Sequence, residues 1–122
     1  MHVLLADDDE SIALVARLGL KRAGYTVTIV GTGREALEAA RTNTFAALLL
    51  DWHLPDVEGI DICRELVADA SWTRVPIVFL TGASHDGFEQ EAADAGAIGL
   101  IQKPFDPTRV GEQLRAILEA AG

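Results

Sequence analysis

The sequence predicts an α/β fold, with a parallel sheet covered by helices on both faces. Strand-like and helix-like stretches alternate five times along 122 residues. Two central runs, Phe45–Leu50 and Val75–Leu80, are apolar throughout, as strands buried on both faces should be. Several runs end in charge: His2–Ala6 in Asp7-Asp8-Asp9, Phe45–Leu50 in Asp51, and Leu100-Ile101-Gln102 in Lys103-Pro104. Parallel strands in such folds carry their ligand sites at their carboxyl ends. Function is therefore to be sought where these acids and the lysine meet.

Each element has its own warrant. His2–Ala6 reads as a short buried strand. Ser11–Ala23 carries Ile12, Val15, Leu18 and Arg22 at helical spacing, with Gly24 as its stop. Tyr25–Val30 is aromatic and β-branched, hence strand. Thr32 with Glu35 three residues on is a capping-box signature that opens a helix to about Arg41. Phe45–Leu50 follows as the central strand, and Trp52–Glu58, which holds Pro55, reads as a loop. The next helix runs from Gly59 to Ala68 with Ile62, Cys63 and Leu66 inward. Val75–Leu80 tolerates Pro76 near its start, where a missing N–H is harmless. Ser84–Ala95 is a weaker helix, mostly alanine plus Phe88 on its apolar face, ended by Gly96. Ala97–Gln102 is the fifth strand. Asp106-Pro107 looks like an N-cap with proline at the first helical position, opening a helix with Val110, Leu114, Ile117 and Leu118 on one face.

Composition narrows the function. The length suits one domain spanning residues 1–122. A formal charge of −9 repels nucleic-acid phosphates, so no direct nucleic-acid partner is expected. No apolar stretch approaches the roughly 20 residues that span a bilayer, and no signal peptide is visible. The single cysteine, Cys63, excludes an internal disulfide and fits a cytoplasmic location. Cys63 is expected in the core, Trp52 and Trp72 in rim packing, and the side chains of His2, His53 and His85 in surface or structural roles.

The charged strand ends suggest chemistry. Two like charges 4 Å apart cost roughly 4 kcal/mol at an effective dielectric near 20. A cluster of Asp7, Asp8 and Asp51 therefore needs a counter-cation, and an all-oxygen set suits Mg²⁺. Lys103 adds a fixed positive charge and Thr81 a hydroxyl donor. Together they suit a phosphoryl group, with Asp51 as nucleophile and Lys103 and Thr81 on the transferring oxygens. No glycine-rich Walker loop is present, so the phosphate is expected from a partner rather than from bound ATP.

Val3-Leu4-Leu5-Ala6-Asp7-Asp8-Asp9, Leu48-Leu49-Leu50-Asp51-Trp52-His53-Leu54-Pro55 with Gly59, Pro76-Ile77-Val78-Phe79-Leu80-Thr81-Gly82 and Gln102-Lys103-Pro104-Phe105 come in this order. In that order and spacing the chain resembles a two-component response-regulator receiver domain, over essentially its whole length. The resemblance implies a flavodoxin-like, doubly wound (βα)5 fold with a five-stranded parallel sheet of order 2-1-3-4-5. It implies Asp51 as phospho-acceptor, self-catalysed and dependent on Mg²⁺. Asp8 and Asp51 would bind the metal directly, Asp7 mainly through water, and His53 through its backbone carbonyl. Thr81 would be the switch hydroxyl and Lys103 the phosphate partner, with a cis Lys103-Pro104 peptide. A histidine kinase or histidine phosphotransfer protein would be the donor. The surface of helix 4, strand 5 and helix 5 would report the change and is a candidate homodimer face. Receivers commonly place an aromatic switch residue three positions before the lysine; here Leu100 stands there, without a hydroxyl. Ala83 and His53 would flank the phosphate.

Two competing readings remain open at this point. Asp7-Asp8-Asp9-Glu10-Ser11 loosely imitates a haloacid-dehalogenase-type phosphatase motif, with Asp7 as nucleophile; that reading leaves Asp51 unexplained. A degenerate receiver acting only as a binding module would not need the complete set of acids, threonine and lysine.

Overall fold

The computed structural model describes residues 1–82 and 87–121. The chain runs β1 (His2–Ala6), α1 (Glu10–Arg22), β2 (Thr26–Val30), α2 (Gly33–Thr42), β3 (Ala47–Asp51), α3 (Gly59–Ala68), β4 (Ile77–Thr81), α4 (Phe88–Ala95), β5 (Gly99–Gln102) and α5 (Val110–Ala121). The strands form one parallel sheet in the order β2-β1-β3-β4-β5. This is the expected doubly wound order.

Register explains the two-sided core. Leu4 lies beside Leu48, and Leu48 beside Ile77; Ala6, Leu50 and Phe79 form the next row. These side chains join one cluster with Ala36 and Ala40 of α2, Ile62, Cys63 and Leu66 of α3, and Phe88, Ala92 and Ala95 of α4. The alternate residues Val3, Leu5, Ala47, Leu49, Val78 and Leu80 join the other cluster with α1 and α5. A strand's period of two sends successive side chains to opposite faces, so an all-apolar strand needs helices on both. Each fully buried leucine contributes roughly 1.5–3 kcal/mol.

Helix α1 differs from the sequence expectation. Asp9 caps it, accepting from the N–H of Ile12 at 3.1 Å. Its buried residues are Ala13, Ala16, Gly19 and Leu20, whereas Val15 and Leu18 face solvent together with Leu14. The cause is the close approach of α5. A β-carbon at Gly19 would strike Val110 and the Pro107 carbonyl, and one at Gly111 would strike Ala23. Small residues meet α5 at this crossing, Leu20 is buried and Ile12 packs in part against the same cluster, while Leu14, Val15 and Leu18 turn outward. Gly24 does end the helix, at φ 98°.

Several boundaries also move: β3 begins at Ala47, β4 runs Ile77–Thr81 and β5 begins at Gly99. Tyr25 precedes β2, its N–H donating to the Leu20 carbonyl in the turn after α1. Asp106 caps the turn that leads into α5, its carbonyl accepting the N–H of Val110 at 2.9 Å. Its carboxylate accepts from the Thr108 N–H and hydroxyl, at 2.9 and 2.7 Å, and α5 begins at Val110. β3 extends through Asp51 rather than stopping at Leu50. The expected start of the fourth helix at Ser84 lies outside the described residues; α4 is described from Phe88 and closes at Gly96, φ 109°.

Candidate functional site

The strand order brings four strand ends to one edge of the sheet. Asp7 follows β1, Asp51 and Thr81 are the last residues of β3 and β4, and Lys103 follows β5. Carboxylate oxygens of Asp7, Asp8 and Asp51 all lie within 4.8 Å of one another. Lys103 Nζ lies 2.8 Å from Asp7 Oδ2 and 3.3 Å from Asp51 Oδ2. The backbone ties the lysine to β4, since the Lys103 N–H donates to the Thr81 carbonyl at 2.7 Å. The Lys103-Pro104 peptide is cis. The sequence-predicted Asp7, Asp8, Asp51, Thr81 and Lys103 are thus brought together.

Local structure fixes each group. The Asp9 N–H donates to Asp7 Oδ1 at 3.0 Å, and Asp7 itself is buried. Asp8 is exposed. Asp51 receives the His53 N–H at 3.4 Å. The following residue, Trp52, donates to the Leu80 carbonyl and accepts from the Gly59 N–H at 2.8 Å, which pins the backbone on both sides. Thr81 is buried at the end of β4.

The electrostatics follow from burial and crowding. Burial pushes the Asp51 carboxyl above its ordinary 3.8; Lys103 pulls it down, and the neighbouring Asp7 pushes it up again. Burial opposes the charge on Lys103, but its hydrogen bond to Asp7 and the charges of Asp51 and Asp7 hold the ammonium above its ordinary 10.5. One ammonium faces three carboxylates, so the cluster remains short of positive charge. Asp7 Oδ2 is buried, and its ion-pair partner is the Lys103 ammonium at 2.8 Å. An all-oxygen donor set that carries more negative charge than one ammonium offsets fits a hard divalent cation.

The remaining candidates lie nearby. The His53 imidazole is exposed and its Nδ1 meets Glu58 Oε2 at 2.6 Å. Leu100 is half-buried in β5, packed against the cluster that contains Trp52 and Phe88. Ala83 and His85 lie outside the described residues. His2 is structural: its Nε2 meets Thr28 Oγ1 at 2.6 Å and its ring packs edge-on to Phe45. Cys63 is a core residue, its Sγ donating to the Ala95 carbonyl; burial pushes the thiol up to about 11. Trp72 packs at the rim, its indole N–H on the Ala40 carbonyl at 3.2 Å.

Two relationships escaped the sequence reading. Trp52 is buried rather than at the rim, its ring 4.9 Å from Phe79 and 4.5 Å from Phe88. Asp56, in the β3–α3 loop, accepts from the N–H groups of Gly33 and Arg34 at 2.7 and 3.0 Å, which holds its carboxyl below the ordinary range. The only local hint of the second was an acid in a proline-containing turn; its partners lie 23 and 22 residues upstream.

Known proteins resemble the chain over nearly its whole length. The transcriptional regulatory protein YkoG of Bacillus subtilis is 35% identical over 121 residues, 99% of this chain and 52% of its own length. The DNA-binding response regulator MtrA of Mycobacterium tuberculosis is 37% identical over 117 residues, 96% of this chain and 50% of its own. The chain therefore spans about half the length of these curated relatives, and a relative named as DNA-binding gives no support to the expectation of no nucleic-acid partner. Among solved structures, the chemotaxis response regulator CheY4 of Vibrio cholerae superposes with a TM-score of 0.86 at 30% identity, covering 95% of this chain and 97% of that one. Among the described residues no helix is long and apolar enough to cross a membrane. A family model, the response regulator receiver domain, matches residues 3–115, and with five parallel strands delivering acids and a lysine to one edge, the chain belongs to that family.

Proposed function

We propose that the chain, as one receiver domain over residues 1–122, accepts a phosphoryl group on Asp51 from a phosphohistidine of a kinase or phosphotransfer protein. Response regulators of this family are signalling modules rather than turnover enzymes. The observation that carries the assignment is the position of Asp51: it ends the central strand, shares Lys103 with Asp7, and keeps its side chain 10% exposed while that of Asp7 is fully buried. A donor can approach Asp51 but not Asp7, which argues against the phosphatase reading with Asp7 as nucleophile.

In the proposed step an Asp51 carboxylate oxygen attacks phosphorus. The bond from phosphorus to the donor's ring nitrogen breaks, and that nitrogen leaves with the electron pair. Asp7, Asp8 and Asp51, with the His53 carbonyl, would hold Mg²⁺, which when bound would neutralise charge on the phosphoryl oxygens. Lys103 supplies a fixed positive charge 3.3 Å from Asp51 Oδ2. Thr81, at the end of β4, would donate its hydroxyl to a phosphoryl oxygen and carry the altered charge to the α4–β5–α5 surface. Leu100 cannot add a hydroxyl hydrogen bond to that relay. The same surface is the proposed homodimer face, and a reducing cytoplasm suits the buried thiol of Cys63.

Acetyl phosphate with Mg²⁺ should label the wild type and not Asp51→Asn. Mg²⁺ should also raise the wild-type Tm, because it binds the folded cluster. Label persisting in Asp51→Asn, or none in the wild type even with a competent kinase, would remove the assignment.

A further inference from the structure

The loop between β3 and α3, residues 52–58, carries the His53 carbonyl and leads directly from Asp51. At its root it is held by the Trp52 and Gly59 backbone bonds. Its tip is held by something else. Helix α2 begins at Gly33, and the hydroxyl of its N-cap Thr32 accepts from the Glu35 N–H, leaving the N–H groups of Gly33 and Arg34 for another acceptor. Both are taken by the two oxygens of Asp56. A carboxylate bound by two N–H groups at a helix N-terminus is charge-assisted and favoured by the helix dipole. Packing repeats the message: a β-carbon at Gly33 would strike Val57 and crowd Asp56, so the loop tip lies directly on the first turn of α2.

We propose that Asp56 is a positioning residue for the phosphorylation site. By clamping the loop tip to α2 it steadies the segment that carries the His53 backbone carbonyl, and so sets the affinity of the acid cluster for a divalent ion. The proposal rests on the reading of Asp7, Asp8 and Asp51 as a cation site. Asp56 touches neither metal nor phosphate. Its effect passes through the two residues between it and His53, Leu54 and Pro55.

The test separates clamping from helix stability. Thr32→Ala removes an α2 cap without touching the loop, whereas Asp56→Ala removes the clamp. Asp56→Asn keeps one oxygen acceptor and carries the comparison if the alanine variant does not fold. Mg²⁺ affinity is measured by calorimetric titration, and hydrogen exchange is followed at the amides of residues 53–57. Asp56→Ala should bind Mg²⁺ roughly tenfold more weakly, as loss of an outer support to a ligand typically does, with faster loop exchange and Asp56→Asn in between. Thr32→Ala should lower Tm and leave Mg²⁺ affinity and loop exchange unchanged. Wild-type affinity in Asp56→Ala, or an equal loss in Thr32→Ala, would overturn the proposal. A wild type that binds no Mg²⁺ would instead sink the cation site itself, and the positioning role with it.

Discussion

Gly59 leaves room for the carbonyl oxygen of Asp51, with which a β-carbon at position 59 would collide. The first residue of α3 sits against the end of β3 because its N–H donates to the Trp52 carbonyl. The glycine therefore governs the backbone that carries the acceptor, although it has no side chain to contribute.

Gly59→Ala should cost roughly 1–3 kcal/mol of stability, as forced overpacking does. It should also slow acetyl phosphate labelling of Asp51, because the obstructing atom is the acceptor's own carbonyl. Urea unfolding and a labelling time course check both. A variant that is destabilised but labels at the wild-type rate would show that the acceptor tolerates the shift.

Lys103→Ala should separate metal binding from transfer. The ammonium bridges Asp7 and Asp51 and competes with a cation for the same oxygens. Its removal should leave Mg²⁺ affinity equal or higher, while labelling slows by roughly 10²-fold, the scale for losing one charge-stabilising donor. Calorimetry and labelling rates measure the two effects independently.

Asp51→Asn should raise the Tm of the metal-free protein at neutral pH, because it removes a charge that burial and Asp7 disfavour. The sign of the pH dependence follows. A carboxyl raised in the folded state binds its proton more tightly there than in the unfolded chain, so its contribution to stability falls as pH rises from the ordinary 3.8 through the raised folded value. The advantage of Asp51→Asn should therefore be full above that window and shrink as pH drops into it. Parallel melts of the two proteins from neutral to acid pH read the difference directly.

The elements most legible in the sequence were those whose signal is local. Apolar runs announced β3 and β4, and the acids and lysine at strand ends announced the site, because the chain itself switches character there. The face of α1 was misread because burial is decided by α5, some ninety residues later: Gly19 and Gly111 demand small neighbours, and hydrophobic periodicity favours large ones. The Asp56 clamp was invisible for the same reason. A carboxylate in a loop gives no sign of which distant helix end it will meet.

Trp52 and Phe88 offer a last prediction. Phe88 opens α4 after Gly87, and its ring packs 4.5 Å from that of Trp52, which ties the helix start to the core. Phe88→Ala should cost roughly 3–5 kcal/mol. About 0.5–1.5 kcal/mol of it should be coupling to Trp52, measurable in a double-mutant cycle with Trp52→Leu. The loosened helix should show faster amide exchange across residues 88–95, while α1 and α5, which pack on the opposite face of the sheet, keep theirs. Because Trp52 follows the acceptor directly, its fluorescence should change on labelling of Asp51, and the response should vanish in Trp52→Phe but persist in Trp72→Phe. A response that survives Trp52→Phe would mean that the altered charge is sensed at the rim, near Trp72, rather than through the ring stack leading to α4.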